Sequence, residues 1–189
     1  KLIPLDHGIT KVLFSNLKSK NAFNPNMVQE IKQALKILEK SKKCRIVIFS
    51  GDGDTFSSGA DLLWMKKSKN INYKKNKEES ENFTKMLKTI DNFPKPTISL
   101  VNGHAFGGAL GIIAATDFSI GINKSKFCFS EVKLGLIPAM IAPYILRSIG
   151  YKNTKKLFLT GEVFNSKKAT KIGLIDEIID QAEFEKLSS

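Results

Sequence analysis

Histidine and cysteine are scarce in this chain, with two of each among 189 residues. With only His7 and His104 to draw on, a Ser-His or Cys-His nucleophile pair has few partners, and a histidine-based metal site has fewer. No metal is expected. Cys44 and Cys128 stand inside apolar, strand-like runs, so buried reduced thiols are expected rather than a disulfide, which suits a cytoplasmic compartment. No apolar run reaches the roughly 18 residues of a membrane span, and the chain opens on Lys1 with neither a signal-peptide pattern nor a methionine. Lys1 is therefore expected to differ from the natural start. A dinucleotide fingerprint is also missing, because after Gly51 and Gly53 its third glycine is replaced by Phe56. That disfavours a nicotinamide cofactor.

What is abundant is lysine and apolar surface. Thirty Lys and Arg face eighteen Asp and Glu, a net charge of +12, which favours phosphorylated ligands, nucleic acid or acidic surfaces. Solubility alone also accounts for such a surplus. At 42% hydrophobic, a chain of this length can bury a substantial core as one domain, 1–189.

Periodicity divides the chain into alternating strands, turns and helices of an α/β fold. Ile9 to Ser15 reads as a strand, and Asn24 caps a helix with Pro25 at its first position and Met27, Val28, Ile31, Leu35 and Leu38 on one face. Ile46 to Phe49 is apolar throughout, as in a parallel strand covered on both faces. A helix is expected from about Asp61, then an exposed, mobile, charged stretch from Lys66 to Glu81 that passes into a helix, whose face of Phe83, Met86, Leu87, Ile90 and Phe93 is ended by Pro94. Strands follow at Thr97 to Val101, Phe118 to Ile122 and Phe127 to Phe129. Helices at Met140 to Ile149 and Asn153 to Thr160 end on Gly150 and Gly161; Ser166 is expected to cap a short helix, and Leu174 to Ile179 forms a last strand.

Two places carry chemistry. At Val101-Asn102-Gly103-His104-Ala105-Phe106-Gly107-Gly108 an apolar strand enters a glycine turn and an uncharged helix, whose free N–H groups can hold a carbonyl oxygen that turns negative. On this stretch alone, close helix packing through Gly107, Gly108 and Gly111 is explanation enough. At Ser130-Glu131-Val132-Lys133-Leu134-Gly135-Leu136-Ile137-Pro138-Ala139 one carboxylate stands in apolar company at a strand end. Burial there would raise the Glu131 pKa and suit it to moving protons; contact with water or with Lys133 is the alternative.

Those two stretches, taken with Phe56-Ser57-Ser58-Gly59-Ala60-Asp61-Leu62, resemble the crotonase, or enoyl-CoA hydratase and isomerase, superfamily, over about Ile9 to Ile179. Ala60 to Met65 and Ser130 to Ala139 look most like bacterial methylglutaconyl-CoA hydratases, with carboxygeranoyl-CoA hydratases close behind. The resemblance implies the crotonase-like fold of repeated β-β-α units, a parallel sheet covered by helices. It implies a hydro-lyase with Glu131 as acid–base group and an oxyanion hole from the N–H groups of Ala60 and Gly108. Coenzyme A, carried as the substrate thioester, would meet Asn21, Ala22, Ser58, Asp61 and Leu62, and the acyl group would meet Phe106, Gly107, Pro138 and Ala139. No prosthetic group is implied.

Two departures from the family pattern stand out. Many hydratases carry a second glutamate where this chain has Gly111. Glu131 alone can still serve hydration of a branched or carboxylated enoyl-CoA, as in leucine or fatty acid breakdown, and it serves double-bond isomerisation as readily. Family members also continue into C-terminal helices that cover the acyl pocket and support trimers or hexamers, and with the sequence ending at Ser189 those helices are expected to be missing. RNA binding through Lys32, Lys36, Lys40, Lys42 and Lys43 is a rival from another class. No aromatic platform accompanies those lysines, so it ranks below catalysis.

Overall fold

The computed structural model describes residues 1–67 and 72–188. Strands β1 (Leu2–Pro4) and β2 (Ile9–Phe14) lead to helix α1 (Pro25–Lys40), whose N-cap Asn24 accepts from the Met27 N–H at 2.9 Å. All five residues of the expected stripe are buried. Three units of one design follow. β3 (Ile46–Gly51), β4 (Thr55–Ser57) and α2 (Leu62–Lys67) form the first, after which comes α3 (Tyr73–Asp91). The second is β5 (Thr97–Val101), β6 (His104–Phe106) and α4 (Gly108–Ala115). The third is β7 (Phe118–Ile122), β8 (Lys126–Cys128), a 3-10 turn (Ser130–Leu134) and α5 (Ala142–Thr160). β9 (Phe164–Asn165), α6 (Ser166–Lys171), β10 (Glu177–Ile179) and α7 (Gln181–Ser188) complete the order.

The first strand of each unit joins a six-stranded sheet, in the order β1-β2-β3-β5-β7-β10, that is parallel except at β1. The second strand of each joins a small sheet, β4-β6-β8-β9, parallel except at β9. Strand alternation sends Val47 and Phe49 into the main core while Ile48, Leu100, Ile122 and Ile179 meet Phe184 of α7 on the other face. The large sheet is thus covered on both sides. From Ala109 to Ala115 every residue of α4 is buried, which accounts for the absence of charge on that helix.

Several boundaries differ from the sequence reading. Asn165, not Ser166, caps α6 by accepting from the Lys168 N–H at 2.9 Å, while the Ser166 hydroxyl donates inward to Ile122 O at 2.7 Å. The two helices expected on either side of Gly150 are both present, meeting at that non-helical residue, φ 73° and ψ 163°, and are together named α5. The charged stretch from Lys66 is helical through Lys67 and again from Tyr73, where Asn72 accepts from Lys75 N at 3.0 Å; 68–71 lie outside the described residues. The last strand is only Glu177–Ile179, and α7 follows it.

Candidate active site

The register of the small sheet brings the three sequence stretches together. Ser57 stands opposite Ala105, and Ala105 opposite Phe127. Three residues beyond each lie Ala60, Gly108 and Ser130, so three turns leave adjacent parallel strands side by side at their carboxyl ends, where α/β sheets bind ligands.

The first turn is held by Phe23. Its N–H donates to Gly59 O at 2.7 Å and its carbonyl accepts from Asp61 N at 3.0 Å, a parallel bridge to Ala60. Bonding the residues on either side of Ala60 leaves the N–H of Ala60 aimed away from Phe23, and it meets no acceptor among the described residues. Gly59, at φ 87°, lies so close to the second turn that a β-carbon on it would come within 2.6 Å of Phe106 O and 3.5 Å of Gly107 Cα.

The second turn pivots on Gly107, whose φ of 53° and ψ of −126° admit no ordinary side chain. Its N–H donates to Cys128 O at 2.9 Å. Gly108 then opens α4 with an N–H that has no acceptor among the described residues.

Glu131 comes from the third turn, on a 3-10 turn rather than the expected strand end. Its Oε1 lies 3.2 Å from the point a β-carbon of Gly107 would occupy. Its Oε2 is buried without a hydrogen-bond partner among the described residues. Burial pushes the Glu131 carboxyl above its ordinary value, opposed only by its own backbone N–H. Lys133 is directed elsewhere, its Cε beside Gly161 and its charge opposing the upward push of burial on the Cys128 thiol.

The glycine face of α4 is apolar and closed. A β-carbon on Gly108 would lie 2.9 Å from Phe83 Cζ, and one on Gly111 would lie 2.9 Å from Ile141 Cβ and 3.4 Å from Leu87 Cδ1. The packing role and the exposed N–H role of these glycines therefore coexist.

The residues expected to meet coenzyme A divide. Asn21 is fully buried, its amide donating to Asp52 O at 2.9 Å and Thr55 O at 2.8 Å and accepting from Asn16 N at 2.9 Å; Ala22 is buried beside it. The Asn21 side chain thus pins the loop from within, and the side chains of both residues are buried. Ser58 donates to Ser19 O at 2.9 Å, and Asp61 caps α2 by accepting from Leu63 N at 2.9 Å and Trp64 N at 3.0 Å. Leu62 is exposed at 53%. Phe106 stacks on His104, which lies in β6 and accepts from Lys126 N at 3.2 Å. Pro138 is buried and Ala139 exposed in the segment before α5. Of the lysines considered for RNA, Lys32 is turned to Asn82 Oδ1 at 2.8 Å. Phe23 and Ile141 shape the site without a local sequence signal, since each meets it from a distant element, while Phe83 comes from the apolar face expected on α3. Cys44 and Cys128 are buried and unbridged. Among the described residues no helix is long and apolar enough to cross a membrane, and no group of three or more potential ligands could hold a metal ion.

Comparison with known proteins adds identity to this geometry. The family model described as enoyl-CoA hydratase/isomerase matches residues 5–188. The crotonyl-CoA hydratase of Syntrophomonas wolfei is 32% identical over 91% of this chain and 66% of its own length. The trans-2-decenoyl-[acyl-carrier-protein] isomerase of Streptococcus mutans is 28% identical over 99% of this chain and 72% of its own. A crystal structure of an enoyl-CoA hydratase from Shewanella pealeana superposes with a TM-score of 0.91 at 37% identity, covering 98% of this chain and 72% of that one.

Proposed function

Because the chain belongs to the enoyl-CoA hydratase/isomerase family and has the crotonase fold, we propose that it adds water across the double bond of an enoyl-CoA thioester, with Glu131 moving the protons. The observation that carries this is the Glu131 carboxyl, buried at the Gly107 turn with Oε2 unpartnered among the described residues and one residue away from the unbonded N–H of Gly108. Glu131 takes a proton from water as the oxygen bonds the β-carbon. The double-bond electrons pass to the thioester oxygen, where the N–H groups of Ala60 and Gly108 stabilise the growing negative charge more than they do the neutral carbonyl. The proton on Glu131 then goes to the α-carbon as the enolate collapses. One water is consumed, and the balance needs no prosthetic group. The basic surface favours approach of the coenzyme A phosphates, an attraction that salt weakens.

The finer reading is a branched or carboxylated acyl group of the methylglutaconyl type. Its support is the likeness of Ala60 to Met65 and Ser130 to Ala139 to that subfamily, while Lys133, directed to Gly161, is not the partner of a substrate carboxylate in this reading. One observation favours a second reaction at the same site. Packing of Ile141 against Gly111 leaves no room for a second acid there, and a single carboxylate suffices for moving a double bond by one position. Incubating the full-length protein with crotonyl-CoA, methylglutaconyl-CoA and a 3-enoyl-CoA, then analysing products, separates these readings, since only hydration adds water. Hydration slowed about 10² to 10⁴-fold by Glu131→Gln is expected; equal rates in variant and wild type would overturn the assignment.

A further inference from the structure

The Ser130 hydroxyl is a polar group at this site that the reaction above does not use. It lies 3.5 Å from the point a β-carbon of Gly107 would occupy, and Glu131 Oε1 lies 3.2 Å from the same point. The two oxygens therefore flank the bare side of Gly107 together. Other hydroxyls near the strand ends are spent within the protein: Ser57 Oγ accepts from Gly59 N at 3.1 Å, and Ser58 Oγ donates to Ser19 O at 2.9 Å. Ser130, half-buried, has no such partner among the described residues. The glycine face of α4 that follows Gly107 is filled by Phe83, Leu87 and Ile141, none of which can hydrogen-bond a polar ligand.

We propose that the Ser130 hydroxyl and the Glu131 carboxylate hold between them the water that is added to substrate. The proposal rests on the hydratase reading. A carboxylate can only accept from water, so one such bond leaves the molecule free to turn about it. A hydroxyl donates or accepts as needed, and a second bond fixes where the water's lone pair points, which is what attack on the β-carbon requires. Glu131 removes a proton from this water, the C–O bond forms, and Ser130 keeps its own proton throughout. Double-bond isomerisation consumes no water and has no use for Ser130. The residue therefore biases the single-carboxylate site toward hydration.

The test compares both reactions in the full-length protein. Ser130→Ala is expected to lower kcat for hydration of crotonyl-CoA about tenfold, the order of one hydrogen bond, while KM and the isomerisation of a 3-enoyl-CoA stay within about twofold. Ser130→Thr keeps the hydroxyl and is expected to restore hydration. A crystal structure of the wild type is expected to hold an ordered water within hydrogen-bond distance of Ser130 Oγ and a Glu131 oxygen, absent in Ser130→Ala. Equal losses in both reactions, hydration unaffected by Ser130→Ala, or no such water in the crystal would each overturn the proposal. A wild type inert toward both thioesters would overturn the reaction instead, and the crystal structure would still decide whether Ser130 binds the water.

Discussion

Ile141 occupies the space that any side chain at Gly111 would need, its Cβ 2.9 Å from the position of a β-carbon there and its Cγ2 closer still. The place where many hydratases carry a second acid is thus shut by packing. Gly111→Ala is expected to destabilise the fold by about 1–3 kcal/mol through overpacking. Adding Ile141→Ala should recover part of that loss, a non-additivity that urea denaturation of the two single variants and the double variant would measure.

Glu131→Gln separates function from stability. Loss of the acid–base group should lower turnover by about 10² to 10⁴. Removing a buried carboxylate whose Oε2 lacks a partner should leave the melting temperature unchanged or higher. A drop in both would mean that the carboxylate is a structural element.

The same burial sets the pH dependence. Glu131 titrates above its ordinary value when folded, so between the unfolded and folded values the folded protein binds the extra proton. Its contribution therefore favours folding below that window and is lost as pH rises through it. Activity runs the other way: kcat/KM should rise as pH passes the raised value, because the free enzyme needs the base ionised. The difference in melting temperature between wild type and Glu131→Gln, followed against pH, isolates the first effect, and a pH–rate profile tests the second.

Gly108→Pro tests the N–H. Proline is tolerated at the first position of a helix but donates nothing, so kcat should fall by about 10² to 10³, with any distortion at Gly107 adding to the loss. Gly108→Ala keeps the donor and must displace only the tip of Phe83, so it should retain far more activity. Similar kcat values for the two variants would remove Gly108 from the oxyanion role.

Asn21→Ala should cost about 3 kcal/mol. Three hydrogen bonds of about 1 kcal/mol each are lost, and alanine adopts a φ of 58° less readily than asparagine. Denaturant unfolding would register the loss, while KM for the thioester in the folded fraction should not move.

Much of this was legible in the residues themselves. Asn24, Pro25 and the stripe from Met27 to Leu38 define α1 locally, and the apolar run from Ile46 to Phe49 announces a strand covered on both faces. Glu131 and the turn at Gly107 stand out by composition. What stayed hidden depends on contacts between distant elements. The unbonded N–H of Ala60 depends on Phe23, and the closed face at Gly111 depends on Ile141. Nothing in the residues around Asn21 shows that distant Asp52 and Thr55 take its amide hydrogens. Asn165 and Ser166 are both good caps, and only the pull of Ile122 O on the Ser166 hydroxyl decides between them.

The small sheet also makes the site's dimensions discrete. Glu131 reaches Gly107 because β8 pairs with β6 as Phe106 opposite Cys128. A slip of one residue would carry Glu131 about 3.3 Å along the strand direction and make Phe127 and Cys128 exchange the faces they present. No intermediate setting exists. Change along this sheet therefore comes in whole residues, and finer adjustment of the distance between acid and turn is left to the rotamers of Glu131 and its neighbours.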